Sequence, residues 1–412
     1  MRLSQRLVMS VVLMVGLAAS RPGAADSDAS PFWHAMKTLS FDAPAVRAAQ
    51  GEEREYALAL RSLIGGDREA ENVLGRLTQA TDPRVRRESQ RVYVGLLAAE
   101  SRWAEIEAAH READPDLPAD VITEFAKLPP ETLTFPDGPV TLPAKRARFV
   151  GTPVIPVEVN GHHCSFWVDT GAGLTVLSSD IAKAMGVSPL GAATTRAGTA
   201  TKRTVEAHPA VIDDLSIGGI HFRHHPVMIL RKQDLRAKLF GVFTLIKIDG
   251  ILGWNALSRL DLEVDLPARS VVLRPPAHNA STPRNLLWLG EPLVQGHAPD
   301  GTRLLFSLDT GGRRSFGMPG LLQKPGIHVT GKRSQRVGGA GGTERVIVRK
   351  MDTVQATVSE CSVPLTEIHD DWHPERMVLL DGFLGVDIAG SGWLRIDPTN
   401  GRFECRPPQD TP

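Results

Sequence analysis

Two short stretches place a carboxylate where a buried strand should continue: "FWVDTGAG", residues 166–173, and "FSLDTGGR", residues 306–313. Phe166, Trp167 and Val168 in one, and Phe306 and Leu308 in the other, are types that pack the faces of sheets. An ionisable Asp followed by Thr and Gly is a costly way to end such a strand unless the carboxylate is used. One Asp-Thr-Gly triplet arises by chance roughly once per several thousand positions. Two copies, each leaving an apolar strand, point to one site built from Asp169 and Asp309. Two carboxylates about 4 Å apart repel by about 4 kcal/mol at an effective dielectric near 20, which strengthens proton binding by the pair roughly a thousandfold. The pair then shares one proton: the ionised member can take a proton from a water while the protonated member polarises a carbonyl.

The elements around the triplets repeat as well. Aligning Asp169 with Asp309 also aligns "IDGILGWNALSRLDLEVDLPARSVVLRPP" (248–276) with "LDGFLGVDIAGSGWLRIDPTNGRFECRPP" (380–408). The landmarks keep their order, which a duplicated β-lobe explains more simply than coincidence. The lobes are expected over residues 144–276 and 286–412, joined by a linker at 277–285 within "PPAHNASTPRN". "TPVIPVEVNGHHCSFWVDTGAG" reads as two strands joined at Asn160-Gly161, a hairpin signal that leads directly into Asp169.

In this pattern the chain resembles the aspartic peptidases of the pepsin and retropepsin kind, with both half-sites on one polypeptide. The resemblance covers residues 144–407. It implies a mainly β, bilobal pair of closed lobes, catalytic roles for Asp169 and Asp309, and support of that dyad by Thr170, Gly171, Thr310 and Gly311. The apolar-apolar-Gly element beneath each turn corresponds to Ile251-Leu252-Gly253 and Phe383-Leu384-Gly385. It further implies hydrolysis of peptide bonds by activated water, with no cofactor and no metal. A cover over the cleft is expected from the glycine-rich "RVGGAGGTERV" (336–346), with Gly338, Gly339, Gly341 and Gly342 at its tip, and from "RAGTATKRTVEA" (196–207) in the first lobe; both are expected to be mobile, the alternative for either being a simple surface loop. The only tyrosines, Tyr56 and Tyr93, lie outside the lobes, so the flap tyrosine of pepsins is missing and the details lean toward retropepsins. Gly312, Arg313 and Arg314 depart from the family pattern; the two arginines are candidate contacts for acidic substrates, or else point to solvent. These departures keep a second reading open, a catalytically silent peptide-binding scaffold on the same fold. Pairing of lobes between chains is made unnecessary by the duplication.

The rest of the chain supplies context. Residues 26–127 carry apolar side chains at helical spacing, with Asp82-Pro83 as a cap and first-turn pair, in an all-α segment that is tetratricopeptide-like or a plain helical module able to bind another protein. Residues 128–143, with Pro129, Pro130, Pro136, Pro139 and Pro143, read as a linker. Arg2 and Arg6 precede an apolar run from Leu7 to Ala18 and the small residues Gly23-Ala24-Ala25, which reads as a signal peptide over residues 1–25 and an exported, periplasmic or secreted protein. No stable membrane span is expected after its removal, the alternative being an uncleaved membrane anchor. With 47 basic and 47 acidic residues the chain has no electrostatic footprint for nucleic acid, so a peptide or protein substrate is the expected partner. Of the three cysteines, Cys361 and Cys405 are the pair expected to form a disulfide and Cys164 the one left over, although three buried thiols would fit nearly as well. His221, His224 and His225, and His162, His163 and Cys164, sit on alternating strands without a second spaced ligand group, so no metal site is expected.

Overall fold

The computed structural model describes residues 8–9, 30–109, 118–198, 204–239, 243–279, 284–370, 377–390 and 392–407. The signal-peptide reading and the tip of the 196–207 hairpin fall largely outside them. Among the described residues no helix is long and apolar enough to cross a membrane. The chain is mainly β, with most of its helices between Pro31 and Ala126 and two short ones, Ser179–Ala184 and Trp254–Leu257, among the strands of the first half.

In the first half, strands pair in the order Ile220–Leu230, Thr175–Ser178, Gly250–Leu252, His162–Val168, Pro153–Val159, Thr204–Ile217, and the last pairs back onto the first. That return pairing closes a six-stranded ring. In the second half the order Gly342–Val358, Cys361–His369, Phe316–Gly317, Gly382–Leu384, Arg303–Leu308, Pro292–His297 closes through the register of His297 with Thr357. Closure leaves few free edges and places alternate residues inside, where Ile155, Val157, Phe166, Ile212 and Phe222 of the first ring are buried. The hairpin at Asn160-Gly161 has φ of 49° and 79°, the pair of positive values that an Asn-Gly turn supplies at least cost.

A third sheet joins the halves. Val140–Pro143, Ser270–Arg274, Asp261–Asp265, Trp393–Asp397 and Arg402–Arg406 form one antiparallel array, with Leu262 opposite Ile396. The two duplicated tails therefore pair with each other, and Arg395 forks onto Asp261 at 2.8 and 2.7 Å. The proline-rich stretch 128–143 is not a bare tether. Thr132–Thr134 pairs with the first ring at His221–Arg223, and Val140–Pro143 edges the joining sheet.

The helices do not stand apart. Trp33, Tyr56, Leu60, Leu74 and Leu96 share one buried cluster with Leu287, Leu293, Phe316 and Phe383 of the second half. Trp103, Ile106 and Phe125 share another with Trp167, Ala172 and Leu174 of the first. Asp82 caps its helix as its sequence suggested, its carboxylate accepting from the N–H groups of Arg84 and Val85 at 2.7 and 2.9 Å. Cys361 and Cys405 are joined in a disulfide with Cα atoms 5.7 Å apart, tying the second ring to the joining sheet. Cys164 is a half-buried thiol, and burial pushes its pKa up to about 12.

Candidate active site

Asp169 follows the strand His162–Val168 and Asp309 follows Arg303–Leu308, so each turn leaves the middle of a closed ring. Both side chains are buried, at 0% and 2% exposure. They meet across the boundary of the two halves: a Cβ on Gly171 would stand 2.8 Å from Asp309 Oδ1 and 3.3 Å from Asp169 Oδ1. Gly311 sits closer still, and a Cβ there would lie 2.2 Å from Asp169 Oδ2. Only glycine lets the backbone approach the carboxylates this nearly. Gly171 N–H donates to Asp169 Oδ1 at 2.9 Å.

The threonines lock the two turns together. Thr170 Oγ1 donates to Leu308 O at 2.7 Å and accepts from Thr310 N–H at 3.0 Å. Thr310 Oγ1 reciprocates, donating to Val168 O at 2.8 Å and accepting from Thr170 N–H at 3.0 Å. Each hydroxyl thus uses its donor and an acceptor site on the opposite half, which fixes the turns as a symmetric pair.

Beneath the turns, Gly250–Leu252 runs parallel to the Asp169 strand and Gly382–Leu384 runs parallel to the Asp309 strand. Asp169 N–H donates to Leu252 O at 3.1 Å and Asp309 N–H to Leu384 O at 2.9 Å. Returning bonds, Trp254 N–H to Ala172 O at 2.6 Å and Val386 N–H to Gly312 O at 2.9 Å, close the underside. Ile251, Leu252, Phe383 and Leu384 are all buried there.

A second duplicated clasp was missed from the sequence. Six residues after each Asp stands a hydroxyl, Thr175 or Ser315, and two residues after each Gly of the lower element stands Asn255 or Asp387. Thr175 N–H and Oγ1 donate to Asn255 Oδ1 at 2.8 and 3.0 Å, and Gly253 N–H donates to Thr175 Oγ1 at 3.3 Å. In the other half Ser315 N–H and Oγ donate to Asp387 Oδ1 at 2.8 and 2.6 Å, and Gly385 N–H donates to Ser315 Oγ at 3.0 Å. The internal alignment that pairs Ile-Leu-Gly with Phe-Leu-Gly already sets Asn255 against Asp387, and would have revealed the clasp had it been extended.

Thr175 also connects outward. His225 places Nε2 2.8 Å from Thr175 Oγ1 and Nδ1 2.7 Å from Glu131 Oε1, which accepts from Arg259 at 2.7 Å. Burial alone would raise the Glu131 pKa, but His225 and Arg259 override it and hold it at about 2. Thus one member of the histidine cluster at 221–225 is a buried structural partner. His162 and His163 are exposed on their strand. Among the described residues no group of three or more His, Cys, Asp or Glu is placed to hold a metal ion.

Electrostatics at the pair follow from burial. The pKa of Asp169 lies well above the ordinary carboxylate value, first because its charge is desolvated and next because Asp309 stands beside it, with bonds from Gly171 and Gly311 opposing.

The remaining residues of interest are placed as follows. Gly338, Gly339 and Gly342 lie at the strand ends of a long hairpin, Val329–Gly339 against Gly342–Val358, and Gly341 lies with Ala340 in its turn. Its tip is docked: Ala340 is buried in the cluster of the first half, and Gly341 N–H donates to Asp234 O at 2.9 Å. The counterpart, Thr195–Gly198 against Thr204–Ile217, is paired up to the undescribed tip. Arg313 and Arg314 are exposed beside the second turn. Thr152, absent from the sequence reading, donates to Gly311 O at 3.2 Å and braces the second turn from the first half.

A family model described as aspartyl protease matches residues 155–256, which contain Asp169 and the Ile251-Leu252-Gly253 element. A solved structure, a retropepsin-like aspartic protease from Rickettsia conorii, is similar at 21% identity over 35% of this chain and 92% of its own, with a TM-score of 0.24. No curated protein matches the chain. The matched residues 155–256 take in the first Asp-Thr-Gly turn and not the second.

Proposed function

We propose that the chain is an aspartic endopeptidase whose catalytic groups are Asp169 and Asp309, exported and freed of residues 1–25. The observation that carries this reading is the pair itself: two buried carboxylates brought together by reciprocal threonine bonds from turns of identical sequence. The ionised member takes a proton from a water between the carboxylates as the oxygen attacks the scissile carbonyl. The protonated member gives its proton to the carbonyl oxygen, and the tetrahedral species collapses with protonation of the leaving nitrogen. Lowering the pair's charge to a single negative one by proton sharing keeps both roles filled in mild acid.

Substrate entry requires the 329–358 hairpin to leave its contact with Asp234, after which its strands can cover an extended peptide and exclude water. Arg313 and Arg314, exposed beside the second turn, favour a carboxylate near the cleaved bond. The test is digestion of an unstructured peptide library by the purified mature chain from acidic to neutral pH, with product ends sequenced. Cleavage that peaks below neutral pH and persists with a chelator supports the reading. Tight peptide binding without cleavage at any pH would replace it with the silent scaffold.

A further inference from the structure

The hairpin Val329–Gly339 and Gly342–Val358 has one face that the proposed chemistry does not use. Its register sets Arg336 opposite Arg345, Lys332 opposite Arg349 and Ser334 opposite Ile347, so these six side chains share a face. Alternate residues take the other face, where Val337 and Val348 are buried and Arg333 and Gln335 reach Glu367. On the first face Lys332, Arg336 and Arg345 are exposed, and among the described residues none of them has an ion pair. Arg349 is taken by Asp370. Glu344 pairs with Val337 and belongs to the opposite face.

Like charges directly opposite on neighbouring strands destabilise a sheet, so the Arg336 and Arg345 pair costs the isolated protein stability. Ile347, at 58% the most exposed large hydrophobic residue among those described, lies in the middle of the basic face. Two cations four residues apart along one strand are about 13 Å apart, a spacing that carboxylates on an extended chain reproduce. We propose that this face is a docking surface for an acidic, extended polypeptide segment of another protein, with Ile347 as its apolar contact. A chain of zero net charge lacks the broad positive field that nucleic acid or an anionic bilayer requires, which favours a short acidic peptide over both.

The experiment is fluorescence anisotropy with a labelled, alternating Glu-Ala dodecapeptide and its Gln-Ala counterpart, on the full chain carrying Asp309→Asn so that the probe stays intact. The Glu peptide is expected to bind and the Gln peptide to bind at least tenfold more weakly. Arg336→Ala with Arg345→Ala should weaken binding by about tenfold or more, Arg336→Lys with Arg345→Lys should restore it to within about threefold, and Lys350→Ala on the opposite face should leave it unchanged. Affinity of the unaltered face should also fall roughly tenfold as salt rises from about 50 to about 300 mM, a readout that needs no hairpin variant. Equal binding of both peptides, or a salt-insensitive affinity, overturns the proposal. So does a double Ala variant that aggregates yet binds as before, which would assign the charges to protection of an edge strand. Tighter binding to anionic vesicles or duplex DNA than to the Glu peptide overturns the choice of occupant.

Discussion

At the scale of single residues, the arrangement is decided by what cannot be larger or uncharged. Asp169→Asn and Asp309→Asn should each abolish peptide hydrolysis while leaving the circular dichroism spectrum intact, since either change ends proton sharing; full activity in one variant would refute the pair. Asp169→Asn has a second consequence. The native pKa of Asp169 is raised, so between the unfolded and native values the folded chain holds more protons, and stability falls as pH rises through that window. Removing the charge should therefore raise the melting temperature at pH 7 by roughly 2–4 °C for each kcal/mol recovered, and by less near pH 3. Calorimetry at both pH values checks the sign. Gly311→Ala is the steric counterpart: its methyl would meet Asp169 Oδ2 at 2.2 Å, so activity should fall below a hundredth of the unaltered chain's, about 3 kcal/mol in the barrier. An active Gly311→Ala variant would mean that the carboxylates are not held this closely.

At the scale of elements, the clasp beneath each turn shows how the two halves solve one problem with different side chains. Asn255 holds Thr175 in the first half, and Asp387 holds Ser315 in the second. Burial raises the pKa of Asp387, while the bonds from Ser315 oppose that shift. Because an amide oxygen already serves in the first half, Asp387→Asn should keep both the fold and near-normal turnover. Asp387→Ala leaves Ser315 N–H buried without its acceptor and should cost about 1–3 kcal/mol by denaturant unfolding. Equal losses in both variants would show that the charge, not the acceptor, matters. Glu131 braces the other clasp. Its native pKa of about 2 lies below the ordinary carboxylate value near 4.3, so its contribution is present above pH 4.3 and is lost as pH falls toward 2. Unfolding midpoints should drop across that window, and Glu131→Gln should flatten the drop while lowering stability at neutral pH.

At the scale of the molecule, the helical segment is part of the platform on which the site is built. One of its clusters includes Phe316 and Phe383 under the second turn, and the other includes Ala172 and Leu174 of the first. Gly95, on the helix Pro83–Ala99, brings that helix against the loop at Gly290: a Cβ on Gly95 would lie 2.9 Å from Gly290 Cα. That neighbour is backbone and cannot turn aside. Gly95→Val should therefore destabilise the whole chain by about 1–3 kcal/mol, and the transitions of helix and sheet signals should stay coincident. Loss of the helical signal alone, at a lower temperature, would show that the segment folds apart from the rings.

The sequence by itself determined the mainly β character, the duplication and the two Asp-Thr-Gly turns that the fold brings together. Each rests on a local rule: alternation marks a strand, Asn-Gly a hairpin, and Asp-Thr-Gly after an apolar run a carboxylate with a purpose. Only the tertiary structure decided how these parts meet. The reciprocal bonds of Thr170 and Thr310 span 140 positions, and the joining sheet pairs strands from both duplicated tails. The stretch 128–143 reads as a linker because prolines dominate its composition, yet its strands are held by partners more than 80 residues away. The buried network of Glu131, His225 and Arg259 carried no sequence signal, because three separated polar residues acquire a shared role only when burial removes the water that would otherwise serve each of them.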